Sequence, residues 1–161
     1  MSQAPLATYL EDHLAGSITA VELLDHLAKE YVGTDLGILF HELHHEIEGD
    51  QGVLRHLLES VGGHESSLKQ AAAWVAERAA RTKLRFAGAA RRELALFEAL
   101  EALELGVLGK RALWRALATV APENELLGGH DYDALSRRAE DQYARLEAHR
   151  IAVARTAFLA E

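Results

Sequence analysis

The sequence has no cysteine. Disulfides, thiolate metal sites, iron–sulfur clusters and cysteine nucleophiles are therefore excluded. Only two prolines occur in 161 residues. Strand signals are almost missing as well, since no run of Val, Ile, Thr and aromatics alternates with period two. No stretch approaches the ~20 apolar residues that cross a bilayer. The first residues lack both a basic region and an apolar one, so no secretory signal is read there and a cytoplasmic protein is expected. There is no basic excess either. Seventeen Lys and Arg stand against 25 Asp and Glu, a formal charge of −8. Such a chain is not expected to bind nucleic acid, which needs a basic face. Neither a glycine-rich phosphate loop nor a serine nucleophile elbow occurs.

What is present is a globular composition, 49 % apolar, of a length suited to one domain over 1–161. A domain of this size buries roughly 68–70 % of its unfolded surface, enough for a core without staples. The long segments are rich in Ala, Leu, Glu and Arg, all strong helix formers. The spacing predicts an all-α chain with helices at about 6–31, 35–61, 66–85, 89–118 and 132–159. In the first, Leu10, Leu14, Ser17, Val21, Leu24 and Ala28 form the inward stripe. In the second the stripe is Leu36, Leu39, Phe40, Leu43, Ile47, Asp50, Leu54, Leu57 and Val61. Leu96, Leu100, Leu103, Val107, Lys110 and Trp114 follow in the fourth. The last carries Leu135, Ala139, Gln142, Leu146, His149, Val153 and Ala157. Gly33, Gly62-Gly63 and Gly128-Gly129 mark the stops, and Asp131 or Asp133 is the expected cap of the last helix. The weaker segment at 66–85 carries Arg78, Arg81, Lys83 and Arg85, read as a solvated helix end.

Tight turns make the first two long helices one antiparallel hairpin and the last two another. A connection of about 25 residues between the hairpins is long enough to run back along the bundle. One long crossover of this kind is the topology of ferritin-like folds.

The segment His41-Glu42-Leu43-His44-His45-Glu46 carries the most chemistry. Glu42 and His45 stand at i and i+3 on one helix face, where a carboxylate and an imidazole can share a metal ion. Counting from the turns, Glu22 or Asp25, Glu101 or Glu104, and Glu147 fall at the same level on the other three helices. A symmetric di-metal centre needs a second Glu-x-x-His, yet Arg150 stands three residues after Glu147, and a permanent cation repels metal. Glu46 and Asp50 fit the inward face better than Glu42 and His45. Buried carboxylates need either a metal or cations, and Lys110 and Arg150 are candidate cations. The same segment is a literal His-Glu-x-x-His, with His41 and His45 spaced for zinc and Glu42 for a general base, but without the sheet such folds place beside it. His13, His26, His56, His64 and His130 read as surface or loop residues, and Trp74 and Trp114 as packing.

The stretches Tyr9-Leu10-Glu11-Asp12-His13-Leu14-Ala15-Gly16 and Val21-Glu22-Leu23-Leu24 belong to the first helix. Glu46-Ile47-Glu48-Gly49-Asp50 lies in the second, Leu103-Glu104-Leu105-Gly106-Val107-Leu108-Gly109-Lys110 in the fourth and Ala139-Glu140-Asp141-Gln142 in the last. With these, the chain resembles the ferritin-like superfamily, closest to its small bacterial bundles. The resemblance implies iron storage, peroxide reduction or di-iron oxidation, with iron or manganese at Glu22, Glu42, His45, Glu46, Glu104 and Glu147. Since one Glu-x-x-His is kept and the other is not, the expectation is a non-enzymatic bundle with a degenerate metal site. A metal-binding oxidoreductase or iron-stress protein is the alternative, and a zinc hydrolase through His41 and His45 the third. No nucleic-acid or membrane partner is expected, and any self-assembly is expected to be a homodimer, the commonest oligomer.

Overall fold

The computed structural model describes residues 2–63 and 89–159. Four long helices make up the described residues: α1 (Ala4–Glu30), α2 (Asp35–Ser60), α3 (Ala89–Val120) and α4 (Tyr132–Leu159). No strand occurs among them. The helix expected at 66–85, with its basic residues, His64 and Trp74, lies outside the described residues.

Helix ends follow local chemistry. Helix α1 begins two residues earlier than the periodicity suggests, because Pro5 sits in its first turn, where a missing N–H costs nothing. It ends before Gly33, whose φ of 80° suits glycine. Thr34 caps α2 by accepting from the Gly37 N–H at 3.1 Å. The turn is tight: a Cβ on Gly37 would lie 2.2 Å from the Tyr31 carbonyl oxygen. Helix α3 passes into two 3-10 turns, Ala121–Glu123 and Glu125–Leu127. Asp131, not Asp133, caps α4, with its Oδ1 accepting from Ala134 N at 2.8 Å.

Side-chain contacts fix the helix directions. Gln51 Nε2 donates to Ser17 Oγ at 3.1 Å across the antiparallel pair α1–α2. Arg111 meets Glu140 at 2.9 Å, and Thr156 donates to Glu93 at 3.2 Å, so α3 and α4 are antiparallel too. Gln3, at the start of α1, accepts from Asn124, just beyond the end of α3. Tyr31, at the other end of α1, feels the charges of Glu93 and Arg92. Helix α1 is therefore antiparallel to α3. Glu46 meets Arg145 and Asp50 meets Arg138, so α2 is antiparallel to α4. It follows that α2 and α3 run parallel.

The inward stripes form one core. Leu10, Leu14 and Leu24 of α1, Phe40, Leu43 and Leu57 of α2, Leu100, Leu113 and Trp114 of α3, and Ala139 and Leu146 of α4 are fully buried. Each such leucine contributes about 1.5–3 kcal/mol through burial. Asp50 at 2 %, Glu104 at 4 % and Gln142 at 0 % exposure are buried with them. No described helix is long and apolar enough to cross a membrane.

Candidate functional site: a buried acid–base network

Helix α2 carries Glu42, Glu46 and Asp50, each four residues from the next. At 3.6 residues per turn, a step of four advances the side chain about 40° around the axis. The row therefore winds inward. Glu42 is exposed, Glu46 half-buried and Asp50 buried. Desolvating an acid is costly unless it is paired and hydrogen-bonded, and the pairing becomes denser in the same order.

Asp50 faces two cations. Lys110 Nζ of α3 lies 2.5 Å from its Oδ2, and Arg138 of α4 donates to its Oδ1. Lys110 also donates to Gln142 Oε1. The amide of Gln142 is thereby oriented, with its carbonyl toward the ammonium and its NH2 toward an acid. Its Nε2 donates to Glu46 Oε2 at 2.9 Å. Arg145 reaches the same oxygen at 2.6 Å. The Arg145 guanidinium also lies 2.8 Å from Asp141 and 3.7 Å from Glu42. A continuous chain thus runs Arg138–Asp50–Lys110–Gln142–Glu46–Arg145 and links α2 to both helices of the second hairpin.

These partners set the charges. Burial pushes Glu46 up, but hydrogen bonds from Arg145 and Gln142 outweigh it and hold the carboxyl below its ordinary value. Burial lowers Lys110, and Asp50 offsets that only in part. Because the folded pKa of Glu46 is depressed, its contribution is present above the unfolded carboxyl value, about 4.3. It is lost as pH falls through the folded value. Arg145→Met is therefore expected to cost about 1–2 kcal/mol at pH 7. The gap to wild type should close as pH falls below the unfolded carboxyl value and through the lower folded one, read by urea unfolding at each pH.

A second pair lies further along the bundle. Glu104, buried on α3, accepts from Arg150 Nε of α4. The guanidinium also sits 5.4 Å from the centre of the Phe97 ring, a favourable place for a cation.

The six residues singled out for metal are not brought to one point: Glu42 and Glu46 share Arg145, Glu104 and Glu147 both act on Tyr143 and Arg150, and Glu22 and His45 stand apart. Glu22 is exposed on α1. Glu42 faces Arg145, and its neighbour one turn on, His45, is exposed. Glu46 belongs to the network, and Glu104 is held by Arg150. Glu147 accepts from Tyr143 Oη at 3.2 Å on the surface. Among the described residues no three His, Asp or Glu side chains come together as a metal would require. The donor set does not fit an iron or manganese pair, because cations occupy the places where ions of like sign would sit. His41, like His45, is exposed.

One histidine differs from its sequence reading. His13 is half-buried within α1, edge-on to Tyr9, and burial lowers its pKa. His130 stands in the loop before α4, as expected, half-buried beside His56. Sequence reasoning also missed Arg138 and Arg145 as partners of the acids. The signal was their placement around Gln142, four before and three after, on one face of the last helix. The chain matches no protein-family model, no curated protein and no solved structure with which it was compared.

Proposed function

We propose that this chain is a ferritin-like bundle whose acid-rich centre is neutralised by its own lysine and arginines, and that it works by binding and not as a metal-dependent enzyme. Two observations support the ferritin-like reading. The helix directions pair α1 with α3 and α2 with α4, each antiparallel, and residues 63 and 89 fall at opposite ends of the bundle. A chain built in this way needs one long crossover between hairpins.

The observation that carries the non-metal reading is Asp50. It is buried beneath two cations and has both oxygens hydrogen-bonded. A metal ion there would have to displace Lys110 or Arg138 and leave that cation unpaired, a loss of about 3–5 kcal/mol for a buried partner. Glu46 and Glu104 are held in the same manner by Arg145 and Arg150.

Metal content decides it. Untagged protein, prepared with iron, manganese and zinc available and then incubated with iron(II), is expected to hold no stoichiometric metal by mass spectrometry and to show no peroxide-dependent turnover. One or two ions per chain, lost on Glu42→Ala, would overturn the reading in favour of an oxidoreductase. One zinc per chain kept by Glu42→Ala would favour the hydrolase.

A further inference from the structure

The outward face of α3 carries no exposed charge between Glu101 and Arg115. The exposed residues of that stretch are Ala102, Leu105, Gly106, Leu108 and Ala112. Leu105 is 62 % and Leu108 43 % exposed. Apolar side chains grouped in water mark an interaction surface, whereas single ones do not. Beside these two leucines the helix has open space in place of side chains. A Cβ on Gly106 or Gly109 would meet no atom within 4 Å, and both glycines line a cleft of about 270 Å³. Neither has a positive φ, so the backbone does not demand glycine at either position.

The charges at the ends of this face stand apart from the rest of the helix. Glu101 and Glu104 face Arg150, Lys110 pairs with Asp50, and Arg111 with Glu140. Glu98 and Arg115 are exposed, and neither has an ion pair among the described residues.

A twofold axis relates these features. Reversing α3 about Val107 lays Leu105 on Gly109, Leu108 on Gly106 and Ala102 on Ala112. Ala102, Leu105, Gly109 and Ala112 follow one another at three or four residues, so they form one stripe. Each leucine thus meets a glycine with space beside it, and small residues at the crossing let two helices approach closely. The same reversal brings Arg115 within one residue of the level of Glu98, about 1.5 Å along the axis. No acid falls opposite an acid. A face that complements itself in this way suits an isologous twofold interface.

We propose that the chain forms a homodimer in which α3 packs antiparallel on α3 of a second copy. Leu105 and Leu108 of each copy sit over Gly109 and Gly106 of the other, at the mouth of its cleft, and Arg115 pairs with Glu98. The partner is a second copy because both the leucine–glycine matches and the two unpaired charges are satisfied by the same axis. One helix pair makes an interface below the ~1,200–2,000 Å² of stable complexes, so the affinity is expected to be micromolar. The surface lies outside the acid–base network and goes beyond the metal question.

Sedimentation velocity of the full chain, from micromolar to millimolar concentration, tests the proposal. The wild type is expected to pass from monomer to dimer. Leu105→Glu puts a charge at the apolar centre of the face. It is expected to keep its melting temperature in dilute solution, since the position is exposed, and to weaken dimerisation about tenfold or more. Gly109→Leu fills the space that the other copy's Leu105 takes and is expected to weaken it similarly. Arg115→Glu sets acid against acid and is expected to weaken it about tenfold. Adding Glu98→Arg to Arg115→Glu exchanges the signs of the pair and is expected to restore wild-type affinity. A monomer throughout the range overturns the proposal. So does a dimer that Leu105→Glu leaves intact, or a double variant that dimerises no better than Arg115→Glu alone.

Discussion

Replacing Asp50 with alanine is expected to destabilise the fold by about 3–5 kcal/mol. The carboxylate itself is not a strong source of stability. Taking it out of water costs several kcal/mol, and its two cations offset that cost. The loss arises because Asp50→Ala leaves Lys110, almost buried, with the Gln142 carbonyl as its remaining hydrogen-bond partner and only the more distant charge of Glu46 to balance it. Arg138 is less affected, since nearly half of its side chain already reaches water. The double variant Asp50→Leu with Lys110→Met removes both buried charges and keeps their volume. It is expected to recover part of the loss, the remainder being the buried Gln142 carbonyl left without Lys110. Urea unfolding of the wild type and the two variants measures both steps. A double variant no more stable than Asp50→Ala alone would mean that the pair's geometry, not its charge balance, holds the helices.

Gln142→Leu is expected to cost about 3–4 kcal/mol by the same measurement. Gln142 is fully buried and makes two hydrogen bonds to charged groups, one to Lys110 and one from its NH2 to Glu46. Each such bond contributes about 1.5–3 kcal/mol, and the leucine leaves both partners without it. Gln142→Glu discriminates further. It keeps the acceptor for Lys110 but turns the other side from donor to acceptor, against Glu46. It should therefore be destabilising at pH 7 and recover as pH falls far enough to protonate one of the two acids. Gln142→Leu and Asp50→Ala share Lys110, so their effects should not add.

Much of this network was legible from spacing alone. Asp50, Lys110 and Gln142 fall in the apolar stripes of their helices, and a polar residue at the period of the core is buried with it. All three are found inside or nearly so. Arg150 as a candidate cation was legible too, and it meets Glu104. Arg138 and Arg145 were not. An arginine flanking a stripe reads as a solvated side chain until the register between α2 and α4 is known. That register cannot be counted from a turn, because no short turn joins these two helices. Levels were countable only within each hairpin, and a level does not say which way a side chain faces: Glu22 and Glu147 face solvent.

On the function proposed above, lysine and arginine, not metal, neutralise the acids between the two hairpins. The most direct test is unfolding of the wild type in urea at pH 7, with chelator and then with excess iron(II), manganese(II) or zinc(II). A ligand bound only by the folded state at a hundred times its dissociation constant adds about 2.7 kcal/mol. A change below about 0.5 kcal/mol is expected for every metal, with the same denaturant dependence. A gain of about 2–3 kcal/mol with one metal, abolished by Glu46→Ala, would contradict it.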